Sequence, residues 1–395
     1  MTSVSSSTRR SLPVDSGLRR VLVVLCITEI TSWGVLYYAF AVLSPSITRE
    51  TGWSQPAVTA AFSAGLVTSA LVGIGVGRLL DRHGPRWIMT AGSGLAVVSL
   101  VGVATAHNIG CFAGAWIAAG VAMAAVLYPP AFAALTRWFG VRSVTALTTL
   151  TLVAGLASTV FAPITAGLAR QLDWRGTYLV LAAVLAVVTV PVHFLGLRRP
   201  WPIVSNAKPV EPPTRTVRSR QFIALTTAFA LSACASYAVI ANLVPLMAER
   251  GISTEAAAIA LGLGGAGQVA GRLAYGTLVR RISIVPRTAL VVTGVAVTTA
   301  LLGVVTSLAA LVIVAILSGV ARGIKTLLHA TAVTEHWGAT HYGYLSGILS
   351  APVTLATALG PWVGAVLASI LGGYAPMFLA LGRNDQNLWM SLGVG

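Results

Sequence analysis

Gly73-Ile-Gly75-Val-Gly77-Arg78-Leu79-Leu80-Asp81-Arg82-His83-Gly84-Pro85-Arg86 joins two long apolar runs and decides how the chain is read. Gly73 and Gly77 stand four residues apart and give a helix a small face, on which another helix backbone can come close. Asp81 falls where that helix leaves the apolar layer. A carboxylate there can bind the positive N-terminal end of a neighbouring helix. Arg82 and Arg86 belong to the side that collects positive charge. An ordinary basic loop that only sets topology would carry many of the same residues.

The surroundings of this stretch define the class of protein. Of 395 residues, 56% are hydrophobic and only 9% charged, and the mean hydropathy is +0.84. Such a composition belongs to an all-α polytopic membrane protein. The net charge of +16 would suit a nucleic-acid binder, but the basic residues lie in loops between apolar spans and form no patch, so no nucleic-acid partner is expected. Cys26, Cys111 and Cys234 are far apart in apolar segments. They read as small buried residues, with neither a disulfide framework nor metal spacing. Val21 to Leu43 follows a basic N-terminus and is too long for a signal-peptide core, so it reads as the first helix.

Apolar runs of membrane length recur near 21–43, 55–79, 87–106, 109–133, 144–169, 176–196, 222–247, 255–279, 288–306, 308–333 and 345–370. Counting Lys and Arg on alternate sides of these runs places eighteen with the N-terminus and four opposite. That asymmetry predicts a cytoplasmic N-terminus in the inner or plasma membrane. Residues 198–220 interrupt the pattern with Arg-Arg-Pro-Trp-Pro and a basic, proline-rich continuation, which reads as a cytoplasmic linker. The expected organisation is a six-helix unit at 1–197, the linker at 198–220, and a second unit at 221–395.

The two units repeat. Leu43-x-Pro45 matches Leu243-x-Pro245, Gly77-x-Leu79 matches Gly276-x-Leu278, Gly120-Val-Ala matches Gly319-Val-Ala, and Ala162-Pro163 matches Gly360-Pro361, all at offsets of 198 to 200. A steady offset over more than a hundred residues marks a duplicated unit. Both copies start on the same side, so the repeat is parallel. Asp81 aligns with Arg280, and a positive residue cannot bind a helix N-terminus, so only the first copy is expected to make that contact.

With its twelve-span plan and central linker, the chain resembles the major facilitator superfamily. The signature loop of that family runs roughly Gly-x-x-x-Asp-Arg-x-Gly-x-Arg, matched here by Gly77, Asp81, Arg82, Gly84 and Arg86. The resemblance implies the major facilitator fold and transport of a small molecule by alternating access. It also implies that this loop latches one conformational state. Pro163 and Pro361 lie in helices 5 and 11, where proline permits bends, and the family uses bends at these helices when the chamber changes face. The twelfth helix departs from the family pattern. After an apolar stretch from Gly372 to Leu381 come Arg383, Asn384, Asp385, Gln386 and Asn387, which would be costly at mid-membrane. The expectation is a truncated or atypical last helix, or a tail that leaves the membrane early.

Ionisable residues inside spans are functional candidates because lipid makes them expensive. Glu29 in helix 1, followed by Trp33, Gly34, Tyr37 and Tyr38, is a candidate proton carrier, because burial disfavours its charged form. A structural partner for an arginine or hydroxyl is the competing reading. Arg272 in helix 8, with Gln268 one turn before it, can grip a carboxylate with two hydrogen bonds. An Arg272–Glu29 pair would instead tie the two units together. Arg272 resembles the helix 8 arginine of the monocarboxylate and oxalate–formate branch, although an aspartate occupies the position of Gln268 in the monocarboxylate members. In helix 10, Arg322, Lys325, Thr326 and His329 share one face. Arg322 is the deep ligand candidate, and Lys325 is either a second one or, with His329, a side chain that snorkels outwards.

One acid against three bases gives a net positive chamber suited to an anion. The candidate set is therefore Arg272, Arg322, Lys325, Tyr37 and Gln268 for cargo, and Glu29 for the proton. No nucleotide loop, catalytic constellation or metal cluster stands out, so no enzyme activity and no cofactor are expected. The expected partners are an anionic small molecule and the bilayer, and the expected state is a monomer. Proton-driven export of a drug or metalloid compound, and a sensor or transport-inactive remnant, remain alternative readings.

Overall fold

The structure is a computed structural model that describes residues 16–202 and 213–391, with the side chains of 254, 255, 258, 361 and 384–391 left undescribed. Residues 203–212, the middle of the expected linker, and the N-terminal basic residues Arg9 and Arg10 lie outside the described residues.

Among the described residues there is no strand, and helices follow one another throughout. Helix α1 is Ser16–Thr51, α2 Gln55–His83 and α3 Pro85–Ala104. Helix α4 comes in two segments, Ile109–Val126 and Tyr128–Phe139, as does α5, Ser143–Gly155 and Ala157–Gln171. Helix α6 is Trp174–Gly196. After the short helical turn Pro213–Val217 come α7 Arg220–Glu249, α8 Thr254–Arg281, α9 Ile284–Val304, α10 Leu308–Trp337, α11 Tyr342–Leu371 and α12 Tyr374–Ser391. Among the described residues, nine helical stretches are each long and apolar enough to cross a membrane, and one of them, Ile109–Gln171, has 63 residues. At a rise of 1.5 Å per residue it would be about 95 Å long, against a hydrocarbon core of about 30 Å. It therefore holds two passes, α4 and α5, which turn at Gly140–Arg142.

Local chemistry explains the boundaries. Ser54, Asn108, Asp173, Ser219, Ser253 and Ser307 each accept a backbone N–H at the start of their helices, which satisfies a donor the helix cannot pair itself. Helix α2 ends at Gly84, whose φ of 75° a side chain would strain, and Pro85 opens α3. The break in α4 falls at Leu127, which is extended, just before Tyr128-Pro129-Pro130. The two prolines in the first turn of the second segment remove two backbone donors that an unbroken helix would need, so the helix restarts at Tyr128.

Packing repeats along the chain. Helix α2 crosses α4 and α8 crosses α10; α3 packs on α6 and α9 on α12; α1 packs on α5 and α7 on α11. Two of the closest crossings rest on glycines one repeat apart. A methyl on Gly120 would strike the Gly65 carbonyl, and one on Gly319 would strike the Gly264 carbonyl. Only backbones without side chains approach this closely in a bilayer.

The apolar core is divided unevenly. At the end that carries Arg78, Arg82 and Arg86, one cluster joins Leu25, Leu80 and Leu135 to Phe229, Leu328 and Leu349, so it spans both copies of the repeat. Towards the other end, one cluster draws its buried residues from 35–185 and a second from 235–381. The basic end is sealed by shared packing, whereas the opposite ends pack separately.

One expectation holds and one changes. The last helix is atypical: α12 carries the polar run at 383–387, stays helical through it to Ser391, and is not by itself among the described helices apolar enough to cross a membrane. Helix α12 meets the end of α11 at a sharp angle of 113°, and Gly382 packs on Ala296 and Ala300 of α9 while Arg383 is exposed. Among the cysteines, Cys26 is buried and Cys234 half-buried, but Cys111 is exposed, since it sits in the first turn of α4, at the molecule's edge.

Candidate functional site

Two groups of residues stand out, one at the basic end and one at mid-depth. At the basic end, α2 runs against the start of α11. A methyl on Gly347 would lie 2.9 Å from the Gly73 carbonyl oxygen, and one on Gly77 would collide with the Gly343 backbone. This contact places Asp81 under the first turn of α11. Its Oδ1 accepts from Gly343 N at 3.0 Å and its Oδ2 from Tyr344 N at 2.9 Å. These are N–H groups that a helix start cannot satisfy internally, and the dipole there adds to the attraction. Arg137 of α4 closes the group, with Nη1 3.7 Å from Asp81 Oδ1. Arg78 reaches the same first turn of α11, donating to the Tyr344 hydroxyl at 2.9 Å with its guanidinium 4.3 Å from the ring centroid.

The remaining signature residues divide by role. Gly84 provides the turn. Arg86 donates to the Phe194 carbonyl at 3.0 Å and stacks on its ring, tying α3 to α6. Arg82 is exposed and makes no hydrogen bond or ion pair with the described residues. Arg280, aligned with Asp81, only reaches Thr277 on its own helix. In the second copy the basic end is held differently, by buried Arg287 paired with Glu335 of α10.

The Gly77 contact yields a first prediction. Gly77→Leu should force α2 and α11 apart and expose the basic-end cluster. A cysteine placed at Leu349, which is fully buried, should then react with a maleimide at least ~10-fold faster than in the parent, as expected if a cluttered crossing costs on the order of 1–3 kcal/mol. Unchanged labelling would mean that this contact does not hold the end shut.

At mid-depth, α1 carries a wide π-turn at Gly34–Tyr38, where Gly34 lies directly on the Phe161 ring. Such turns interrupt the regular rotation of side chains and recur at functional sites. Trp33, Tyr37, Tyr38 and Phe62 form a connected aromatic wall, and Tyr128, placed by the break in α4, stacks at 4.9 Å from Trp33. Across from them stand Tyr237 of α7, Arg272 of α8 and Arg322 of α10. Tyr237 is within electrostatic reach of both guanidinium groups, Tyr37 is within reach of Tyr237, and Tyr128 is within reach of Arg272 and Glu29. Tyr237 keeps 38% of its surface exposed and is within electrostatic reach of groups from both copies.

The charged residues differ in how they are held. Glu29 is fully buried and neither carboxyl oxygen has a hydrogen-bond partner among the described residues. The unpaired Trp33 indole N–H, one turn on, bears on it. Arg272 does not pair with Glu29. Its Nη1 donates to the Thr151 carbonyl at 2.6 Å, across to α5. The chain gives way there: Leu156 N–H reaches back only to Val153, and Gly155 leaves room for the guanidinium. Arg322 is buried, its Nε has no partner, and no described residue gives its guanidinium a hydrogen bond or ion pair.

Lys325 does not snorkel. Its Nζ donates to the Ser232 carbonyl at 2.8 Å and the Ser236 hydroxyl at 2.7 Å, on α7. His329 stacks edge-on to Phe229 at 5.1 Å. Gln268 contributes its backbone to the α8–α10 crossing, against Gly319 and Gly323. Pro163 lies exposed within the continuous segment Ala157–Gln171, so the interruption of α5 is at Leu156 and not at the proline. The side chain of Pro361 lies outside the described residues.

Sequence reasoning missed Tyr128 and Tyr237. Tandem prolines inside an apolar span were an available signal for Tyr128, because broken helices in membranes line cavities. Tyr237, alone among small residues, carried none.

This fold defines a class. Residues 25–308 match the Major Facilitator Superfamily, and the chain belongs to that family of membrane transporters. Among solved structures, the human organic anion transporter MFSD10 (TETRAN) superposes with a TM-score of 0.74 at 16% identity, over 96% of this chain and 100% of that one. A variant of the Escherichia coli fucose:proton symporter FucP gives 0.71 at 14%, over 95% and 98%. FucP in its outward conformation gives 0.71 at 13% with the same coverage. No curated protein matches by sequence.

Proposed function

We propose that the chain is a secondary active transporter of a small, monocarboxylate-like organic anion, working as a monomer by rocking of residues 1–197 against 221–395 about the linker. The observation that carries this reading is Arg322. A guanidinium stays charged in any protein setting, and an uncompensated buried charge costs several kcal/mol, so this one is poised for an anion from the chamber. Arg272 adds a second positive group, while the aromatic wall offers ring faces to the apolar body of the cargo. Asp81 latches the form with a closed basic end, which the excess of basic residues assigns to the cytoplasm of the inner or plasma membrane.

Glu29 handles the coupling proton. A buried carboxyl without a salt-bridge partner can exist only where it can be protonated, and Tyr128 is within electrostatic reach of both it and Arg272. Glu29→Gln, locked in the neutral form, should keep anion exchange within about threefold of the parent, a typical surplus for a near-isosteric polar swap. It should lose accumulation driven by a pH gradient. Vesicles loaded with unlabelled benzoate and given the labelled acid measure the first, and an imposed pH step measures the second. Gradient-driven uptake that survives Glu29→Gln removes the proton role. Resistance to a toxic compound with no carboxylate flux would turn the reading to export, and binding without flux to a sensor.

A further inference from the structure

The segment after α6 carries an aromatic group that the transport account above leaves unused. Trp201 of the linker is docked on the Asp81 group. Its indole N–H donates to the Asp81 carbonyl at 3.2 Å, and the Arg137 guanidinium lies 4.8 Å over its ring. Gly84 lies flat against the same ring, where a methyl would approach it at 3.1 to 3.2 Å. The preceding residue is held as well: Trp138 Nε1 donates to the Pro200 carbonyl at 3.1 Å, and the two tryptophan rings meet edge to face at 5.4 Å. Arg137 thus serves two masters. It balances the Asp81 carboxylate, donates to the Asp81 carbonyl at 3.2 Å and stacks on Trp201.

The linker resumes on the other side of the same junction. The short turn Pro213–Val217 packs against α11, the helix whose first N–H groups Asp81 binds, and its Thr216 is buried. The two described ends of the linker therefore lie on the two sides of the contact that shuts the basic end. An aromatic ring fixed on one side of an ion pair excludes water and restrains the guanidinium.

We propose that Trp201 is a positioning residue for the closed basic end: it holds Arg137 against Asp81, so that Pro200 and Trp201 act as a strap that must lift from α2 and α4 before that end opens. This inference rests on the reading of Asp81 as a latch, and the experiment separates the two. In a background with Cys26, Cys111 and Cys234 replaced, the maleimide labelling rate of Leu349→Cys is compared among the parent, Trp201→Ala, Trp201→Phe, Trp138→Phe and Asp81→Ala, each checked for a monodisperse elution profile. Trp201→Ala should label at least ~5-fold faster than the parent, as loss of one net hydrogen bond alone would give. Trp201→Phe keeps the ring under Arg137 and should fall between the parent and Trp201→Ala. Trp138→Phe, which frees the Pro200 carbonyl, should also label faster. Fast labelling of Asp81→Ala with parent-like rates in all three tryptophan variants would overturn the strap and leave the latch standing. Parent-like labelling of Asp81→Ala itself would fail the latch, and the strap with it. If Trp201→Ala does not fold, Trp201→Phe and Trp138→Phe decide the matter.

Discussion

Arg322→Ala will abolish measurable anion transport while leaving the protein folded. The guanidinium is buried and no described residue gives it a hydrogen bond or ion pair, so its removal breaks nothing in the resting protein and relieves a desolvated charge. On the proposed reading, the cargo loses its main ligand. Truncating one partner of a buried charge pair costs about 3–5 kcal/mol, or roughly 100- to 1,000-fold or more in affinity. Arg322→Lys keeps the charge but not the two-pronged geometry, and should recover part of the loss. Flux of labelled carboxylate into vesicles reads transport, and a thermal shift with benzoate reads binding. Parent-like flux in Arg322→Ala would remove the central residue from the account. Arg272→Ala should differ in kind. That side chain already donates to Thr151 across to α5, so its loss loosens the protein as well as the site and should lower the melting temperature too.

Asp81→Ala will shift the resting population towards the form open at the basic end. Each carboxylate oxygen accepts one N–H from the start of α11, and a hydrogen bond to a charged group contributes about 1.5–3 kcal/mol. Losing both, while removing the counter-charge of Arg137, should move the equilibrium by about 3–6 kcal/mol, or at least roughly 100-fold. Asp81→Asn keeps one good acceptor and should shift it less. Labelling at Leu349→Cys reports the change directly, and accessibility that stays at the parent level would refute the latch. Transport should slow as well, because a carrier that rests with one face open must climb further to expose the other.

Part of this was legible without coordinates because it is one-dimensional physics. Runs of apolar residues must be helices in a bilayer, where peptide groups have no other partners. The offset near 199 residues likewise marked a repeat, and the structure has the corresponding glycine pairs, Gly65 with Gly120 and Gly264 with Gly319, at the equivalent crossings. Asp81 could be singled out because its spacing from Gly77 and its place at a helix end are local facts. The atypical last helix was legible too, because its polar run at 383–387 is a local fact, although the backbone stays helical through it to Ser391.

Only the tertiary structure decided which charges are spoken for. Arg272, Arg322 and Lys325 look alike as buried cations in a string of letters. In three dimensions Lys325 is bound to α7, Arg272 is half-engaged by α5, and no described residue gives the Arg322 guanidinium a hydrogen bond or ion pair. Nor could spacing foresee Tyr237 opposite Tyr37, or Trp201 beneath Arg137. Such contacts join residues more than sixty positions apart, and their formation depends on how whole helices cross, which is set by the sum of many packing choices and by no single motif.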